Sequence, residues 1–294
     1  LDIREQLHLD KVASLHNLGL LYFYMGNYKK AIELNESVIA IKKSTQNNIT
    51  SDLAISLNTL ANLHYYAYND FSSAEKHYLE ALSIIETTLG KNHSDYASSL
   101  ENLANLYSEQ GKYSSAEQMF KEVLEIRTKE LGSNHPEYAR GLINLANNYR
   151  LEGNFSAADK SFEEAGAILE KKFGRIHPDF ASYLKNHGIL YLQTGRMDKA
   201  VAAFREIASV NKKLLEKSLH HLSEKEISNY LVKLDEIQNQ LLTITHQSDL
   251  ADLIPDCYDY SLFNKGFALN ASIRMQKIGR LDTVNARILR QLKS

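Results

Sequence analysis

The sequence predicts an all-α fold, a right-handed superhelical solenoid of stacked helix pairs followed by a helical bridge or capping segment. Three observations carry that prediction. The 294 residues hold only 13 Gly and 3 Pro, under half of the roughly 12% that the two usually make up together. Tight turns are therefore few and long helices are expected. A block of residues recurs five times at a spacing of 42 or 43. Within the block apolar residues fall at helical intervals, as Leu15, Leu18 and Tyr22 do at i, i+3 and i+7.

The block has three landmarks in one phase. The first is a small residue after Asn/Thr-Leu, or after Asn186-His187 in the fifth copy: Gly19, Ala61, Ala104, Ala146 and Gly188. The second is an Ala after a turn and an aromatic or Met: Ala31, Ala74, Ala116, Ala158 and Ala200. Tyr78, Phe120, Phe162 and Phe204 stand four residues further on, and Asn35 takes that place in the first copy. The third is a connector, Leu89-Gly90 to His93, Leu131-Gly132 to His135-Pro136 and Phe173-Gly174 to His177-Pro178. The small residue lets helices approach closely. Gly26, Gly111, Gly153 and Gly195 end the first helix in a left-handed cap. Leu-Gly closes the second helix, and Pro136 and Pro178 suit a first helical position, where no N–H is needed. The extra residue of the second copy lies between Tyr65 and Asp70. One such unit cannot bury its apolar stripe alone, whereas stacked units share a continuous core.

These motifs resemble tetratricopeptide repeats of the 42-residue, kinesin-light-chain-like variety, over roughly residues 11–215. The implied units are 10–51, 52–94, 95–136, 137–178 and 179–222. Residues 1–9 read as the tail of a truncated preceding repeat, because Leu1-Asp2-Ile3-Arg4 matches Leu124-Glu125-Ile126-Arg127. Residues 223–294 break the period. Ser223 and Glu226 form a capping box that opens a helix to about His246, and a further helix carries Tyr258-Asp259-Tyr260-Ser261-Leu262-Phe263-Asn264-Lys265-Gly266. This stretch, about 210–275, resembles the bridge of bacterial proteins that join such repeats to a CHAT domain, a caspase-like cysteine peptidase. The resemblance implies a peptidase domain in cis beyond Ser294, and an RNA-guided CRISPR effector complex as a docking partner.

Composition narrows the chemistry. Lys plus Arg (34) and Asp plus Glu (36) nearly cancel, so nothing draws the chain to nucleic acid or to an anionic membrane. The single Cys, Cys257, makes no intrachain disulfide or Cys-based zinc site, which fits a reducing cytoplasm. No apolar run reaches the ~20 residues that cross a bilayer. His93, His135 and His177 recur with the connector, so a structural hydrogen bond fits them better than a metal. His220 and His221 are adjacent and diverge on a helix. No phosphate loop, dinucleotide fingerprint or nucleophile elbow is present. The expectation is a non-enzymatic chain without metal or cofactor.

A partner-binding groove is the remaining candidate site, lined by the first helices. Counted from the small residue, position −2 gives Asn17, Thr59, Asn102, Asn144 and Asn186; position +1 gives Leu20, Asn62, Asn105, Asn147 and Ile189. The two positions are i, i+3 neighbours and make a double row of amides. Asn is a modest helix former, so its repetition needs a reason. Either the amides pair with the backbone of an extended protein or peptide segment, or some of them bridge neighbouring helices. Tyr65 and Tyr66 offer an apolar end, or packing around the longer turn. Glu101, Arg140, Arg150 and Lys185 add mixed charge. The function expected is a protein–protein interaction scaffold: a regulatory arm of the peptidase, or alternatively a stand-alone adaptor of the kinesin-light-chain kind.

Overall fold

The computed structural model describes residues 3–44 and 51–218. Ten helices fill these stretches, with no strand among the described residues. In chain order they are α1 (Ile3–Tyr24) and α2 (Tyr28–Ser44), α3 (Ser51–Tyr68) and α4 (Phe71–Thr88), α5 (Ser94–Glu109) and α6 (Tyr113–Leu131), α7 (Pro136–Glu152) and α8 (Phe155–Phe173), then α9 (Pro178–Gln193) and α10 (Met197–Ser218). The chain divides into two compact units, residues 1–165 and 166–294, so α8 starts in one and ends in the other. The expected helix after Ser223, the Tyr258–Gly266 motif, Cys257 and the His220–His221 pair lie outside the described residues.

In the first unit each first helix packs on its own second helix, α1 on α2, α3 on α4 and α5 on α6. Each second helix also packs on the next first helix, α2 on α3, α4 on α5 and α6 on α7. The shared core runs from Ile39 through Leu57, Tyr78, Ile85, Leu100 and Leu103 to Val123 and Ile126. Tyr78, Phe120 and Phe162 are wholly buried. In the second unit Phe204 is buried against Gly188, where an added Cβ would lie 3.1 Å from the ring. The small landmark residue thus makes room for the aromatic of the second helix. In the first repeat Gly19 faces Asn35 instead, whose Nδ2 donates to the Ala31 carbonyl at 2.9 Å.

The turns follow the sequence signals. Gly26, Gly111, Gly153 and Gly195 have φ between 71° and 90°, the left-handed region that only Gly adopts freely. The next N–H returns to the carbonyl five residues back, as Lys112 does to Tyr107 at 2.8 Å. The second copy has Asn69 (φ 52°) in this role, and the Asp70 N–H reaches six residues back to His64 at 3.0 Å. Its extra residue is absorbed by lengthening α3 and widening that one ring. At the connectors His93, His135 and His177 are N-caps, their Nδ1 accepting from the N–H of Asp95, Glu137 and Asp179 at 3.1 to 3.2 Å. Pro136 and Pro178 occupy the first helical positions.

Ile3–Tyr24 is one continuous helix. The physical reason is the absence of any stop between Ile3 and Asp10, where neither Gly nor Pro occurs.

Candidate functional site

The candidate site is built on α3, α5 and α7, all within the first unit. These helices bury Leu57 and Leu60, Leu100 and Leu103, Leu142 and Leu145. That burial turns positions −2 and +1 to the opposite side, leaving Thr59, Asn62, Asn102, Asn105, Asn144 and Asn147 half-buried. The +1 position of α3 is satisfied internally, because Asn62 Oδ1 accepts from Tyr78 Oη at 2.5 Å. Phe120 and Phe162 stand where Tyr78 does and have no hydroxyl, so Asn105 and Asn147 lack that donor. Asn147 Oδ1 instead accepts from Arg150 Nε at 3.3 Å. The side chains of Asn102, Asn105 and Asn144 make no hydrogen bond among the described residues.

Other asparagines do the bridging. Asn58 Nδ2 donates to Ser99 Oγ at 2.6 Å, joining α3 to α5. Asn148, fully buried, donates to the Tyr113 carbonyl at 3.1 Å, joining α7 to α6. These two bridging asparagines stand at positions −3 and +2, outside the double row. Outside this face, Asn17 is exposed on α1, and Asn186 on α9 donates back to the Ser182 carbonyl at 2.8 Å. Lys185 is half-buried on α9.

The charged candidates divide. Glu101 does not present a free carboxylate to this face. It is gripped in two parallel bonds by Arg127, Nη1 to Oε1 at 2.7 Å and Nη2 to Oε2 at 2.8 Å. Arg140 is exposed and pairs with Glu137 one turn earlier. Arg150 is half-buried, and the surrounding protein lowers its pKa while Glu109 opposes the shift. Tyr65 packs on Phe71 (ring centroids 5.9 Å apart) and on Tyr66 (4.4 Å). Burial pushes the Tyr65 phenol up, and the Glu109 charge adds to it. Tyr66 is 65% exposed.

Sequence reasoning missed Arg127. It is 5% exposed and stands where the 42-residue spacing puts Ile85 and Leu169. Its guanidinium lies 3.9 Å from Glu137 and fits because residue 141 is Gly; a Cβ there would meet Nη1 at 3.0 Å. A charge in an aliphatic register, together with Gly at the −5 position of α7, was the signal. A second missed tie is Tyr107 Oη to Glu75 at 2.7 Å and its counterpart Tyr149 Oη to Glu117 at 2.8 Å. Burial first, and the carboxylate second, push both phenols up to about 12. The recurring Tyr three residues after the small landmark carried that information.

Among the described residues no group of His, Cys, Asp and Glu could hold a metal ion. None of the described helices is long and apolar enough to cross a membrane. The connector imidazoles are committed to capping. What the face offers is three amides without a hydrogen bond among the described residues, Asn102, Asn105 and Asn144, and an aromatic pair on α3.

Comparison with known proteins agrees with the repeat fold. Family models described as "Tetratricopeptide repeat" match residues 12–45, residues 52–129 with 116–171, and residues 181–214. A solved structure of nearly identical repeats from a putative kinesin light chain of Podospora anserina has 25% identity and a TM-score of 0.60, covering 71% of this chain and 98% of that one. BtubC (BKLC) from P. vanneervenii has 19% identity and a TM-score of 0.56, covering 83% and 90%. The Rap conjugation gene regulator of plasmid pLS20, solved with the Phr* peptide, has 16% identity and a TM-score of 0.59, covering 95% and 78%. No curated protein matches the chain.

Proposed function

The chain belongs to the tetratricopeptide repeat family, and from that premise we propose that it is a protein-interaction scaffold holding an extended protein or peptide segment against the face of α3, α5 and α7. The observation that carries the reading is that Asn102, Asn105 and Asn144 have no partner within the described chain. An amide carries donors and acceptors at once, so it matches a peptide group in either strand direction. Two amides one turn apart on each of two neighbouring helices give the repeat needed to follow a backbone. The solved relative that holds the Phr* peptide supports the same class of ligand.

The test is binding by the variant Asn102→Ala with Asn144→Ala, against peptides of random sequence selected on the native chain. Loss of about tenfold or more in affinity is expected. Unchanged affinity overturns the reading. Two finer assignments rest on particular observations. The 210–275 motif favours a regulatory arm of a caspase-like peptidase that docks on an RNA-guided effector complex, and a His/Cys peptidase domain encoded downstream of Ser294 is its test. The 25% identity to kinesin-light-chain repeats favours a stand-alone adaptor, for which a heptad coiled coil encoded upstream is the test.

A further inference from the structure

Resting on the binding face just proposed, we propose that its corner at Tyr65, Tyr66 and Glu109 takes a cationic side chain, Lys or Arg, of the bound segment. Tyr66 and Glu109 occupy the same repeat position, five residues past Ala61 and Ala104, at neighbouring ends of α3 and α5. The other copies supply no such pair. At the two equivalent positions the first copy has Phe23 and Tyr24, the fourth Arg150 and Leu151, and the fifth Leu192 and Gln193, so only the second and third copies set an aromatic beside an acid at the later position.

The aromatic part is ready for a ligand. Tyr65 is anchored on Phe71 and backs Tyr66, their ring planes inclined by 41°. Tyr66 leaves 65% of its surface open. Its phenol is nonetheless pushed up by desolvation first and by the Glu109 charge second. The open ring is held in place by the Tyr65 ring, whose centroid lies 4.4 Å away. Glu109 is exposed and makes no hydrogen bond or ion pair within 4 Å among the described residues. Its charge reaches both phenols and Arg150.

An unpaired carboxylate beside an open aromatic face is complementary to an ammonium or guanidinium, which gains from the ring quadrupole and the charge together. Arg150 is a competing cation, since it feels the Glu109 charge. Its Nε is turned to Asn147 Oδ1 at 3.3 Å, back towards the amide row. The corner thus gives direction to an otherwise symmetric ladder: the amides hold any backbone, and the cation fixes which end of it lies on α3.

The experiment selects random peptides of about 12 residues on the 294-residue protein, long enough at ~3.3 Å each to cross three helices about 10 Å apart. The selected sequences are expected to share a Lys or Arg at one fixed position. Replacing it by Ala should weaken binding about tenfold to the native chain, and under about twofold to the Glu109→Gln variant. Glu109→Arg should select an acidic residue there instead. Peptides with no fixed cation, or an equal loss in Glu109→Gln, overturn the proposal and leave the amide ladder standing. A fixed cation on peptides that bind Asn102→Ala/Asn144→Ala undiminished overturns the ladder and leaves the corner. A library that yields no binder overturns both.

Discussion

The seam between consecutive repeats and the outward face of the first helices use the same residue types for opposite ends. On the seam, Asn58 and Asn148 are bonded across helices at 2.6 and 3.1 Å. On the face, Asn102, Asn105 and Asn144 have no such bond among the described residues. Glu101 and Glu109, eight residues apart on α5, repeat the contrast: one carboxylate is clamped by a buried guanidinium, the other is unpaired. A buried polar group without a partner costs 1–3 kcal/mol or so, whereas an exposed one is served by water. The seam meets this cost only in part, because each of Asn58 and Asn148 has its Nδ2 bonded while its Oδ1 is buried without a partner, whereas the amides of the face stay within reach of water. Substitutions should separate the two regions sharply.

The largest effect belongs to Arg127. Removing it by Arg127→Ala leaves Glu101 desolvated without its partner and should cost about 3 kcal/mol, read as a lower urea midpoint. Arg127→Leu with Glu101→Gln, which restores the aliphatic register of Ile85 and Leu169, should recover most of that. If the single and double variants unfold together, the clamp does not hold the seam.

Next comes a pair in which the seam reverses its usual sizes. Leu124 packs against Gly141 between α6 and α7, while between α8 and α9 it is Gly166 that makes room for Tyr183, whose Oη would lie 2.6 Å from an added Cβ. Gly166→Leu should overpack that contact and cost about 2 kcal/mol. Adding Tyr183→Ser, the Ser that α5 carries at the same position as Ser99, should make the double variant more stable than Gly166→Leu alone. Additive losses would refute the size exchange.

A smaller effect is expected at the connector. His135→Ala removes the acceptor for the Glu137 N–H and should cost about 1 kcal/mol, while His135→Asn, itself a strong cap, should cost much less. Equal losses would mean that the imidazole stabilises the connector by packing instead.

Much of this was legible in the sequence. The phase of the repeat, the left-handed Gly caps, the His-Pro helix starts and the double Asn row are local signals, each set by a residue's own backbone or donor chemistry. What escaped depends on convergence. Arg127 is intelligible only with Glu101 on α5 and Gly141 on α7 in view, three elements that no single window contains. Which Asn are open was encoded one helix away, in the hydroxyl that Tyr78 has and Phe120 and Phe162 lack.

The smallest predicted effect is the most telling for function. Asn102→Ala with Asn144→Ala should shift stability by no more than about 0.5 kcal/mol, and in the favourable direction if anything, because Ala outranks Asn in helix propensity and no internal bond is lost. Asn58→Ala, by contrast, breaks the bond to Ser99 and should cost about 1 kcal/mol. Urea unfolding of the two variants side by side decides the matter. If the face variant loses as much as the seam variant, the amides of Asn102 and Asn144 are structural. If it is neutral in stability yet impaired in binding, residues with moderate helix propensity stand at those positions because of what they hold.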